Sequence, residues 1–348
     1  MSQSEYLFNR RTFLQASGAA LLAGRAGAAD AQVQVPVKIG TGKQTYTLDE
    51  SFGKLPADMR YGFGCAVVVD SKDRVIVTSR SSSPCVAIFD KDGKLLETWT
   101  KDFADKIGYT PEQVAKTAHG LYWSQEPGGE FLYWTENAPG NRVYKTDMQG
   151  KVLFTLGNVA QESSTSQKLR FDSPTDVAVA PNGDIYIVDG YGTQQVHRFD
   201  KNWKLLKTIG KSGEGHGEFK TCHGVWVNTL KKEPEVYIAD RGNNRIEVYS
   251  PELEYKRTIP GMRLPCCFYQ ANGLLYIPEL GSRVTVLDDQ DKLVAHLGDG
   301  AGIKAAEIKS HPDKFATPHA LTVDSRGDLY VVEWLDYGRA RKFKHTPA

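Results

Sequence analysis

The chain has 348 residues, with 43 Lys and Arg against 42 Asp and Glu, a net charge of +1 and 5 Cys. Balanced charge without a basic run argues against a nucleic-acid partner, and the short apolar stretch near the N-terminus falls below the length of a stable membrane span. A single ordinary core would be overfilled at this length, so one large domain built from many small interfaces between repeated sheets is expected.

In chain order, Asn9-Arg10-Arg11-Thr12-Phe13-Leu14 is a twin-arginine pattern. It is followed by ASGAALLAG and by Ala26-Gly27-Ala28, a small-residue pattern suited to cleavage. Residues 1–28 are therefore predicted to be an export signal read by the twin-arginine translocation machinery, leaving a periplasmic or otherwise extracytoplasmic protein. That route carries folded proteins, which suits a chain loaded with metal before export. Residues 29–59 form an N-terminal segment in which QTYTLDE, 44–50, is a candidate ring-closing strand.

Residues 60–348 repeat one pattern: an alternating apolar strand, a polar turn and a second strand rich in Val, Ile and Tyr, as in DVAVAPNGDIYIVDG at 176–190 and ALTVDSRGDLYVVEW at 320–334. Most copies continue through a hairpin into two more strands, as in RIEVYSPELEYKRTI at 245–259. Four-stranded units at this period predict an all-β, six-bladed β-propeller. The blades are placed near Gly64, Ala118, Pro174, Cys222, Pro265 and Pro318. The last is one strand short at its C-terminus. Helix-permissive inserts at 102–118 and 303–317 precede the inner strands of blades 2 and 6 and are expected to crowd one face.

Aligning the blades on their turns puts Cys65, His119, Thr175, His223, Cys266 and His319 in one column. With 8 His in the chain, composition alone would put three in a column of six only about a few times in ten thousand. Inner strands surround one channel, so blades 2, 4 and 6 aim three imidazoles at its axis from about a third of a turn apart. Three neutral histidines with an open fourth position describe a catalytic zinc arrangement, able to bind and acidify an oxygen. The competing reading has each histidine capping a strand. His197, His216, His296, His311 and His345 share no such spacing and read as surface or structural. The five cysteines, in an oxidising compartment, fit no zinc-finger spacing and leave their pairing open.

A second column ends the second strands: Ser79-Arg80, Glu136-Asn137, Asp189-Gly190, Asp240-Arg241, Glu279-Leu280 and Glu333-Trp334. Its acidic member recurs in five blades and reads as structural, tying backbone N–H groups. The residues that break the pattern, Arg80, Arg241 and the Tyr191 that follows Asp189-Gly190, are the candidates for chemistry. A cation beside a tyrosine is expected to lower the phenol pKa toward a usable base.

SPTDVAVAPNGDIYIVDGYG, CHGVWV with YIADRGNNRIEVY, and TPHALTVDSRGDLYVVEW resemble NHL repeats, and their order is similar to that of the peptidyl-α-hydroxyglycine α-amidating lyases and their bacterial relatives. The resemblance covers most of 60–345. It implies zinc on His119, His223 and His319, Tyr191 as catalytic tyrosine, and Arg80 and Arg241 as active-site arginines. The implied reaction cleaves a carbinolamide: a peptide ending in α-hydroxyglycine gives a peptide amide and glyoxylate. Three positions depart from the family. Serine follows Arg80 where glycine is usual, Thr317 replaces a methionine, and Ala320 replaces the acidic residue that helps hold a structural calcium. A small-molecule or peptide substrate and a monomer are expected. The alternatives are a non-catalytic NHL binding module and a metal-dependent lactonase or hydrolase; the latter's hard-cation sites usually use carboxylate and asparagine, against which the histidine column argues.

Overall fold

The computed structural model describes residues 35–157 and 170–347; the predicted export signal, residues 1–28, lies outside them. Six antiparallel sheets follow one another along the chain. Blade 4 shows the unit in full: inner strand Cys222–Asn228, then Glu235–Asp240, Arg245–Tyr249 and outer strand Tyr255–Ile259. Its inner strands are buried along nearly their whole length because neighbouring blades cover both faces, which is why they read as continuous apolar runs. Its outer strand is half-exposed and carries Lys256 and Arg257. Between blades 3 and 4, Tyr186, Val188, Val225 and Ile238 pack into one cluster. Each such side chain, fully buried, contributes about 1.5–3 kcal/mol.

The turns are built by residues suited to them. In blade 3, Gly183 takes φ +90° and donates its N–H to the Ala180 carbonyl at 2.8 Å, a backbone conformation that a Cβ would strain. Blade 6 is a five-stranded sheet made from both ends of the described chain. Gln44–Asp49 pairs antiparallel with Ala340–His345, with Tyr46 opposite His345, and Lys38–Thr41 adds a fifth strand outside it. The ring is thereby closed by hydrogen bonds between sequence-distant strands.

Two details differ from expectation. Blade 5 begins at Tyr269, not near Pro265, and its inner strand is three residues long. Pro265 has no N–H to donate and Leu264 sits at φ +57°, so only an isolated bridge from Pro265 to Glu279 precedes that strand. Of the two inserts, the first forms helices Lys101–Lys106 and Pro111–Thr117, the latter with a Thr110–Gln113 capping box, and runs directly into the strand bearing His119. The second holds a single 3-10 turn, Ile308–Ser310, and buries Ile308 and Ala316 against Leu335 instead. No helix among the described residues is long and apolar enough to cross a membrane.

Candidate active site on the propeller axis

His119, His223 and His319 each stand second in an inner strand, and all three are buried. The entry of His223 and His319 is fixed by the acidic column, whereas Glu136 of the His119 blade accepts from the Tyr109 hydroxyl and Arg142 instead. Asp240 accepts from Lys220 N–H at 2.8 Å and Glu333 from Ala316 N–H at 2.7 Å, each three residues before a histidine. Asp189 does the same for Ser173 N–H at 2.6 Å, below Thr175. These carboxylates set the backbone from which the axial side chains project.

The odd blades then orient the imidazoles. His119 Nδ1 lies 2.7 Å from the Thr175 carbonyl, His223 Nδ1 2.8 Å from the Cys266 carbonyl, and His319 Nδ1 2.6 Å from the Cys65 carbonyl. A carbonyl only accepts, so each Nδ1 carries the proton and each neutral ring turns an Nε2 lone pair to the axis. Candidate ligand atoms of the three rings lie within 4.8 Å of one another. His119 and His223 Nε2 are 3.2 Å apart, and buried His319 Nε2 has no hydrogen-bond partner. Burial holds all three imidazoles neutral: His319 is pushed down to about 3, and His119 and His223 well below the ordinary value, helped by the Arg80 and Arg241 cations. Converging, unprotonated lone pairs repel one another unless a cation sits among them. The donor set fits zinc.

Close approach is possible because glycine follows two of the histidines. A Cβ on Gly120 would lie 2.5 Å from Thr135 Oγ1 and 2.7 Å from the Thr175 carbonyl, and one on Gly224 would overlap the Cys266 carbonyl. The repeated His-Gly pair at 119–120 and 223–224 was the available signal for this, and only its histidine drew attention.

Tyr191 covers the side between His119 and His223, its hydroxyl 3.4 Å and 3.1 Å from their Nε2 atoms. Arg241 Nη1 donates to the same hydroxyl at 3.0 Å. Burial raises the phenol above its ordinary value, with the Arg241 and Arg80 cations pulling the other way. The expected lowering by a neighbouring cation is thus outweighed by desolvation. Arg80 stands elsewhere, 4.9 Å above the Trp334 ring, with Nη2 donating to Asn137 Oδ1 at 2.6 Å. Trp334 in turn packs 5.0 Å from His319. Asn137 and Trp334 follow the acidic member of their own blades, so the column that singled out the arginines contained them too.

Along the inner strands from the histidines runs a cavity of about 710 Å³, lined by Tyr122, Asp176, Trp226, Cys267 and Tyr269 among others. Asp176 is pushed up to about 7 by burial and its Oδ2 accepts from Val225 N–H at 3.1 Å. The histidine trio is the one group of three or more His, Cys, Asp or Glu donors that converges among the described residues. Ala320, buried beside His319, has no side-chain oxygen to offer a calcium ion. All five cysteines are free thiols.

Fold and repeat pattern define a six-bladed β-propeller of antiparallel blades, here with three histidines on its axis. Residues 164–307 match a family model described as a 6-bladed beta-propeller. The chain is 28% identical over 225 residues to human NHL repeat-containing protein 3, an alignment covering 61% of this chain and 58% of that protein. It is also 28% identical over 194 residues to a probable peptidyl-α-hydroxyglycine α-amidating lyase of Caenorhabditis elegans, covering 55% and 49%. The chain spans about half the length of the curated relatives it matches. A solved gluconolactonase from Xanthomonas campestris superposes with a TM-score of 0.58 over 90% of this chain and 95% of that one, at 15% identity, which shows the shared fold alone.

Proposed function

We propose that this protein is an exported, zinc-dependent carbon–nitrogen lyase that cleaves a carbinolamide, taking a peptide ending in α-hydroxyglycine to the peptide amide and glyoxylate. The observation that carries the reading is the set of three backbone-oriented imidazoles with a tyrosine hydroxyl at 3.1 Å and 3.4 Å and an arginine on that hydroxyl at 3.0 Å. His119, His223 and His319 would hold the zinc, whose chemistry there is Lewis-acid binding and acidification of the substrate hydroxyl. Relatives named as amidating lyases support the reaction class.

Tyr191, acting as the phenolate that a zinc ion among the histidines would favour over the buried phenol, is placed to take the proton from that hydroxyl and to return it to the leaving nitrogen. Arg241, donating to the phenol oxygen, stabilises the phenolate while the proton is away. As the carbinol O–H proton leaves, its electron pair forms the aldehyde C=O and the C–N bond breaks. The nitrogen leaves as a primary amide, and no water is consumed. The second cation, Arg80, is available to the substrate carboxylate.

The test is metal content of the mature protein purified without chelator, followed by glyoxylate release from an N-acyl-α-hydroxyglycine. About one zinc per chain with stoichiometric amide and glyoxylate is the expected result. No metal after zinc is added back overturns the reading and leaves a binding propeller; metal without turnover overturns the reaction and leaves a different metal-dependent enzyme.

A further inference from the structure

The axial cavity and Tyr191 lie toward opposite ends of the same strand. Tyr191 comes just after the C-terminal end of Ile185–Asp189, whereas the cavity reaches Asn182 and Gly183 in the turn that leads into it. Arg80, Arg241 and Trp334, like Tyr191, are outside its lining, and the histidines stand at its near end. The cavity is therefore a chamber of its own behind the imidazoles, and the carbinolamide reading gives it no part. At about 710 Å³ it has the size of a small-molecule site.

One residue along from the histidine column, the inner strands carry Ala66, Gly120, Asp176, Gly224, Cys267 and Ala320. Four of the six are Ala or Gly, which leaves room behind the rings, and Asp176 is the one acidic member. Its Oδ2 accepts from Val225 N–H of blade 4 at 3.1 Å, and a Cβ on Gly120 of blade 2 would lie 3.0 Å from its Oδ1. Among the described residues no Lys or Arg pairs with this carboxylate. The two lysines that line the cavity stand elsewhere: Lys145 pairs with Glu126 at 2.7 Å, and Lys201 is exposed. A carboxylate drawn out of water without a counter-charge is costly, so the chamber is complementary to a cation.

Two residues beyond Gly120, Gly224 and Cys267, on the same face of each strand, stand Tyr122, Trp226 and Tyr269. The Trp226 ring lies 5.6 Å from Tyr122 and 5.7 Å from Tyr269, so the three form one aromatic arc along the wall. Blade 3 contributes Ala178 at this level, small enough to let Tyr122 reach Trp226. Tyr122 is pinned by its hydroxyl, which donates to the Val179 carbonyl at 3.1 Å. Lys145 lies over Phe131 and Tyr133 and leaves the arc to other cations. A hard metal ion would want several oxygens and gain nothing from ring faces. One carboxylate with aromatic faces selects a weakly hydrated cation that carries apolar surface. We propose that this chamber binds a small organic ammonium ion, its charge against Asp176 and its methyl or methylene groups against Tyr122, Trp226 and Tyr269. The site stands whether or not the chain is a lyase.

Calorimetry on the full-length protein tests this with a matched pair of probes, choline and its uncharged isostere 3,3-dimethylbutan-1-ol. Both carry the same hydroxyl, so any contact of that group with a metal cancels between them. Choline is expected to bind at least about tenfold more tightly than the alcohol, the size of one charge-assisted contact. Asp176→Asn keeps an oxygen for Val225 N–H and removes the charge, and it should abolish that preference. Trp226→Leu should weaken choline about 2–30-fold, the range of a cation–π contact from exposed to desolvated. If Asp176→Asn failed to fold, the choline-to-alcohol ratio of the unaltered protein and the Trp226→Leu loss would still decide. Equal binding of the two probes would make the chamber merely apolar and overturn the proposal, as would choline binding unchanged in Asp176→Asn or the absence of any choline binding. Calcium binding that needs Asp176 and excludes choline would overturn it in favour of a hard-cation site.

Discussion

At the same repeat position, blades 2, 4 and 6 send an imidazole to the axis, whereas blades 1, 3 and 5 contribute the backbone carbonyl that fixes that imidazole's tautomer. Even blades supply the imidazole nitrogens and odd blades supply their orientation. A metal ligand's partner commonly matters for affinity nearly as much as the ligand itself, because it sets ring direction and basicity. Using a carbonyl for that purpose frees the odd-blade side chains, which are Cys65, Thr175 and Cys266. The two sets differ in what mutation can reach.

The largest effect belongs to an even-blade side chain. His223→Ala is expected to lose bound zinc outright while leaving the propeller folded, since no strand is interrupted; elemental analysis beside circular dichroism reads both. Retention of stoichiometric metal would show that the trio is not the ligand set. Next comes Tyr191→Phe, which removes the proton carrier without touching a ligand. Zinc content should be unchanged and kcat should fall about 10²–10⁴-fold, the usual range for a lost general acid–base group. Full activity in Tyr191→Phe would reject the mechanism even with zinc in place.

How much of this was legible beforehand depended on whether the information resides in side chains. The alternating strands, the column of His119, His223 and His319, and the pattern-breaking Arg80, Tyr191 and Arg241 are side-chain signals, and the structure brings these six residues together. The carbonyls of Cys65, Thr175 and Cys266 are invisible to a residue-type reading, because every residue has one. The late start of blade 5 at Tyr269 was hidden for a similar reason: Pro265 and the left-handed Leu264 act through backbone conformation. The pKa direction of Tyr191 needed its burial, which no spacing of residues contains.

An odd-blade carbonyl is reached only through its neighbour. Gly224→Ala would place a methyl against the Cys266 carbonyl and 2.8 Å from Cys267 Cα, displacing the acceptor of His223 Nδ1. The expected cost is about 1–3 kcal/mol in stability for the overpacking. A loss of about 10–100-fold in zinc affinity should accompany it, from the lost outer partner. Competition with a metal indicator separates the two. If affinity held while stability fell, the carbonyl would be packing rather than orientation.

Smaller again is the pH dependence of the metal-free protein. His319 titrates at about 3, and His119 and His223 also lie well below 6.5, because burial penalises the charged ring. Unfolded histidines titrate near 6.5, so between about 3 and 6.5 the unfolded chain binds more protons and stability falls as pH falls. Each histidine contributes a slope of up to about 1.4 kcal/mol per pH unit. Asp176, raised to about 7, has the opposite sign: its contribution is lost as pH rises from about 4 to 7. Urea midpoints in chelator at pH 5 and 7 should therefore shift less in His223→Ala than in the unaltered protein. An undiminished shift would place the proton uptake outside the even blades.

The smallest effect sharpens the comparison most. Cys65→Ser changes an odd-blade side chain and leaves its carbonyl, the acceptor for His319 Nδ1 at 2.6 Å, in place. The thiol is buried and lies 3.3 Å from both the Phe63 and Ala118 carbonyls, so a hydroxyl at that position still has acceptors to donate to. Zinc content should be unaltered and stability should move by no more than about 1 kcal/mol, the net size of one hydrogen bond. A Cys65→Ser protein that lost its zinc would mean that the thiol, not the carbonyl, is what blade 1 contributes, and the division between side-chain blades and backbone blades would fail at its first member.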